Sequence, residues 1–135
     1  MIYAPLFSRP TLPRLALITV LSMLLYAALV DNPAPEIAHN SDKLYHIIAF
    51  TALAICTRMA FPYGSLWRQI VAMLALGAAI EVIQYFQSYN VADVWDLVAD
   101  AIGIGFGLAL MRLPPLARCR DWFWHREGTT DTNAA

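Results

Sequence analysis

The sequence predicts an all-α integral membrane bundle of four transmembrane helices, and three observations carry that reading. Of 135 residues, 59% are hydrophobic and 14% charged, with mean hydropathy +0.53, whereas soluble domains carry roughly 25% charged residues. Four apolar stretches of 16 to 21 residues approach the roughly 20 needed to cross a hydrocarbon core. The basic residues also sort to one side when the chain is folded as four spans. A formal net charge of −1 with nine Lys and Arg excludes a polybasic nucleic-acid binder.

Taken in order, residues 1–14 form a cytoplasmic segment with Arg9 and Arg14. The first helix, 15–30, is uncharged and is closed by Asp31, Asn32, Pro33 and Pro35, which cannot continue it. It is long for a cleaved signal peptide, and no small-x-small site follows it. The second, 44–61, opens after Asn40, Ser41 and Asp42, good N-cap chemistry, and ends at Pro62 and Gly64. The third, 66–86, is interrupted by Glu81 and Gln84. The fourth, 94–113, is interrupted by Asp96 and Asp100 and stopped by Pro114 and Pro115. Residues 114–135 are expected to be a cytoplasmic tail, disordered at its end. Cys56 and Cys119 show no paired spacing for a metal knuckle or a disulfide framework.

With the N-terminus inside, eight of the nine basic residues fall in cytoplasmic segments, and Lys43 alone lies outside. This positive-inside bias places both termini in the cytoplasm of a bacterial inner (plasma) membrane. Tyr45, Tyr85, Tyr89 and Trp95 mark the outer interface; Tyr63, Trp67, Trp122 and Trp124 mark the inner one.

Seven of the ten acidic residues then lie outside or in the outer halves of the helices. A rise of about 1.5 Å per residue puts Glu81 and Asp100 about 9 Å deep, with His46, Gln84 and Asp96 above them. Gly77, Glu81 and Gln84 share one helix face, as do Asp93, Asp96, Asp100, Gly103 and Gly107. The last two form a GxxxG step suited to close helix packing. With Gly105 they are no dinucleotide fingerprint, because no strand precedes them. Any one of these polar residues can serve as interhelical hydrogen-bonding glue. Together, Asp42, Lys43, His46, Glu81, Gln84, Asp96 and Asp100 make a candidate binding cluster, since charge at such depth is costly and tends to be functional. His39 and His125 have no convergent partners, and Trp122 to Trp124 belong on the inner membrane surface.

At these residues the chain resembles the VanZ-like family of small membrane proteins. The match runs through Asp42-Lys43-x-x-His46, Glu81-x-x-Gln84 and Asp96-x-x-x-Asp100-x-x-Gly103-x-x-x-Gly107. Two positions depart from the family pattern: Asn90 stands where arginine is usual, and Asp100 where asparagine is usual. Both make the outer cluster more negative, so a cation or a protonated Glu81 or Asp100 would have to compensate.

The resemblance implies a cell-envelope setting and an influence on glycopeptide susceptibility. The expected activity is a polar outer-leaflet pocket that binds a lipid or cell-wall precursor head group. The expected partners are membrane lipids and a lipid-linked precursor. No catalytic residue or cofactor is assigned. The alternatives are a metal-dependent membrane hydrolase, using a divalent cation on His46, Glu81, Asp96 and Asp100, and a proton- or cation-coupled transport component working as a homo-oligomer.

Overall fold

The computed structural model describes residues 11–30, 41–87 and 93–124. Five helices follow one another: α1 (Thr11–Leu29), α2 (Ser41–Ala60), α3 (Leu66–Tyr85), α4 (Val94–Leu110) and α5 (Pro114–Trp124). No strand occurs among the described residues. Arg9, Asp31, Tyr89, Asn90, His39, His125 and the expected disordered end lie outside them.

The fold is the all-helical membrane bundle that the composition implies. Its surface is apolar: Ile18, Met23, Val82 and Phe106 are each more than half exposed. Such a surface suits lipid and would be an aggregation liability in water. Helices α1 and α3 are long and apolar enough to cross a membrane individually. Helix α4 qualifies only when joined to α5, across a bend of 78°. Helix α2 carries Asp42, Lys43 and Arg58 and packs mainly on α4 and α1.

Partners along α2 and α4 advance together. Lys43 lies beside Asp96, His46 beside Asp100, and Thr51 beside Gly103, so these two helices run in the same direction. Their contact is the most extensive in the bundle. It is close because α4 has no side chain where it crosses α2. A Cβ on Gly103 would lie 2.5 Å from the Ile47 carbonyl oxygen, and one on Gly107 would lie 2.6 Å from that of Thr51. The Thr51 hydroxyl donates to the Ile47 and Gly103 carbonyls at 2.7 and 3.1 Å, which adds a polar tie at the crossing. Around it, Phe50, Leu53, Ala54, Met73 and Ile104 form the buried core.

The turn from α2 to α3 is stapled by Arg58, whose guanidinium donates to the Pro62 and Gly64 carbonyls and to Gln69 Oε1. Gln69 in turn donates to the Phe61 carbonyl at 2.8 Å.

Residues 114–124, within the segment expected as a cytoplasmic tail, form α5. Pro114 and Pro115 stop α4 and also open the next helix, where the missing proline N–H groups are unpaired in any case. Helix α5 is held at the end of the bundle where α1 begins and α2 ends. Trp124 Nε1 donates to the Met59 carbonyl at 2.7 Å, and its ring receives Arg14 at 5.4 Å and the edge of Tyr63.

Candidate functional site

At the opposite end, the first turns of α2 and α4 meet the last turn of α3. Helix α2 begins at Ser41, three residues before the start expected from hydropathy. This earlier start sets Lys43 level with Asp96, and His46 level with Asp100. The two layers expected from sequence therefore merge into one cluster, with the His46 imidazole reaching down to Asp100.

Asp93 fastens all three helices. It caps α4 through Oδ1, which accepts from the Trp95 N–H at 3.0 Å. Its Oδ2 accepts from Lys43 at 2.8 Å, and its own N–H donates to Glu81 Oε2 at 3.0 Å. Asp93 stood on the acidic stripe of the sequence but not among the candidate binding residues. Its position just before a helix start was the available signal, since N-cap aspartates bond to nearby N–H groups. Lys43 also lies 3.4 Å from Asp42 and 3.5 Å from Asp96. The cation of the site is thus surrounded by carboxylates.

His46 Nδ1 and Asp100 Oδ1 are 2.7 Å apart, with Asp100 fully buried. The imidazole lies parallel to the Phe50 ring at 6.4 Å between centroids. The second Asp100 oxygen faces Gly77 so closely that a Cβ there would overlap it. Gly77 therefore makes room for a buried carboxylate as well as allowing helix approach.

The structure brings together Lys43, His46, Glu81, Asp96 and Asp100. Asp42 stands at the exposed edge. Gln84 is half-buried on α3, and no hydrogen bond joins its side chain to the cluster among the described residues. Three buried carboxylate oxygens have no hydrogen-bond partner: Glu81 Oε1, Asp96 Oδ1 and Asp100 Oδ2. Lys43 lies at ion-pair distance from the second of these, but its short contact is spent on Asp93. One ligand atom each from His46, Glu81 and Asp96 lies within 4.8 Å of the others. A groove of about 480 Å³ between α1, α2 and α3, lined by Leu17, Leu21, Leu53 and Met73, is apolar and lies towards the other end of the bundle.

Asp93 precedes α4, and the Lys43 hydrogen bond holds its carboxyl below the ordinary value of 3.8. A depressed folded-state pKa contributes stability that is complete above the unfolded value and is lost as pH falls through the folded one. Acidification below about pH 4 should therefore weaken the join between α2 and the start of α4. Lys43→Met should lower the thermal midpoint at pH 7 and flatten its decline between pH 5 and 3. An unaltered pH profile in that variant would remove the Lys43–Asp93 bond from the account.

The family model described as VanZ/LLP1 matches residues 11–115, more than half of the chain. No curated protein and no solved structure matches the chain.

Proposed function

The chain belongs to the VanZ/LLP1 family, and from that premise we propose that it is an envelope factor of the bacterial plasma membrane. Its polar cluster binds the head group of an envelope lipid or lipid-linked cell-wall precursor, and through that ligand the protein influences glycopeptide susceptibility. The cluster faces outward. The end that carries Arg14, Arg58, Arg68, Arg112, Arg118 and Arg120 faces the cytoplasm, which is the arrangement the positive-inside bias favours.

The observation that carries the reading is the set of three buried acceptor oxygens without donors, on Glu81, Asp96 and Asp100. Leaving such groups unpaired costs about 1–3 kcal/mol each, a cost that a hydroxyl-, amide- or amine-bearing head group relieves. Lys43 donates to Asp93 at 2.8 Å and lies 3.4 and 3.5 Å from Asp42 and Asp96, so its charge is balanced by carboxylates rather than offered to a phosphate. The donors of the sugar and peptide portions are therefore the recognised chemistry.

The test is binding of a lipid-linked disaccharide-peptide precursor to the protein in nanodiscs, in chelator, against phosphatidylglycerol as comparison. Glu81→Gln and Asp96→Asn should each weaken binding about 10-fold or more, the worth of a hydrogen bond to a charged group. Equal binding of the two lipids, or unchanged binding in both variants, overturns the proposal.

A further inference from the structure

We infer that His46, Glu81 and Asp96 form a divalent-cation site of mixed imidazole and carboxylate chemistry, with Mn²⁺ and Zn²⁺ as the class of occupant. The inference deepens the head-group reading and shares its site.

Convergence is the first support. One ligand atom from each of three different helices lies within 4.8 Å of the other two. Ligands bound at about 2.0–2.2 Å stand roughly 3 Å or more from one another, a separation of the same order. Asp96 supplies an independent second support. Its side chain is 6% exposed, and its Oδ1, with the Lys43 ammonium 3.5 Å away, has no hydrogen bond; Glu81 Oε1 across the site has none either. Both belong to the residues whose ligand atoms converge.

The Asp100 contact decides which histidine nitrogen remains for a cation. Its Nδ1 is committed to Asp100, fully buried, at 2.7 Å, which leaves Nε2 as the ring nitrogen able to ligate. Metal-bound imidazoles characteristically give their other nitrogen to a carboxylate in this way. Asp100 is then a positioning residue. Charge agrees, since Asp42, Glu81, Asp93, Asp96 and Asp100 face a single ammonium, Lys43.

One nitrogen and two oxygens suit Mn²⁺ or Zn²⁺ better than Ca²⁺, which takes 6–8 oxygens. Neither cysteine belongs to the convergent group. Three protein ligands leave coordination positions open to water.

The experiment titrates the chelator-stripped full chain in nanodiscs with Mn²⁺ alone, followed by pulsed electron paramagnetic resonance. His39 and His125 are replaced by alanine, so that His46 is the sole imidazole. The expected result is one saturable Mn²⁺ with imidazole nitrogen coupling. His46→Gln abolishes the coupling, Asp96→Asn weakens binding at least 10-fold, and Asp121→Asn, at the other end, changes nothing. Asp100→Asn weakens binding about 10- to 100-fold and keeps the nitrogen coupling. No saturable Mn²⁺, or bound Mn²⁺ without nitrogen coupling in the sole-imidazole protein, overturns the site without needing any further variant. Precursor binding in chelator with no Mn²⁺ binding overturns the cation and leaves the head-group reading standing. Mn²⁺ binding without precursor binding supports the cation and removes the other.

Discussion

Gly103→Ala destabilises the bundle by about 1–3 kcal/mol, the usual cost of forcing carbon into a packed interior. The added methyl would meet the Ile47 carbonyl oxygen at 2.5 Å and the Ile47 Cα at 3.1 Å. Both are backbone atoms of α2, which cannot swing aside as a side chain can. Helices α2 and α4 must therefore separate, and the Thr51 bond to the Gly103 carbonyl is strained with them. Gly105→Ala is the matched control, because a Cβ there meets nothing within 4 Å. It should be neutral, or stabilising by up to about 1 kcal/mol as helix entropy is recovered. Thermal unfolding in detergent, followed by circular dichroism, separates the two. Equal midpoints for both variants would mean that the α2–α4 approach is looser than described.

His46→Leu, measured without metal, should cost about 1–3 kcal/mol, the range for leaving a buried acceptor without its hydrogen-bond partner. Asp100 is 0% exposed, one of its oxygens is already without a partner, and the other is held by His46. The variant thus strands a whole carboxylate between helices. Adding Asp100→Ala to His46→Leu should recover at least half of the loss, since removing both partners is far cheaper than removing one. The same double-mutant cycle reports the coupling between the two residues. Additive effects would show that the 2.7 Å contact contributes little.

Much of this architecture is legible in one dimension because lipid imposes a simple rule. A long uncharged run such as 15–30 has few alternatives to a helix, and the spacing of Asp93, Asp96, Asp100, Gly103 and Gly107 assigns one face of α4 to the interior. The depth of His46 was less legible. Hydropathy starts α2 at Leu44, whereas the helix begins with the polar residues Ser41 and Asp42, and three residues of register shift a side chain by about 4–5 Å. The part played by Asp93 depends on its backbone N–H reaching Glu81, a contact between segments that no periodicity encodes. Helix α5 was obscured by two prolines that act as a stop when read from one side and as a start when read from the other. Gly77 was visible on the stripe of Glu81, but its reason, room for the Asp100 carboxylate, requires the third dimension.

The parallel pairing of α2 with α4 also bears on how the chain is made. Helix α2 carries charged residues near both ends, α4 is long and apolar enough to cross a membrane only together with α5, and each is the other's most extensive neighbour. The residues that meet are separated by 50 to 54 positions. At synthesis rates of about 5–20 residues per second, α2 emerges on the order of 3–10 s before its partner. During that interval its charged ends have no ammonium–carboxylate partner on α4 and its Phe50 face has no cover. Helix α2 therefore completes its contacts only once α4 has been made, so the pairing of these two helices is a late event in biogenesis.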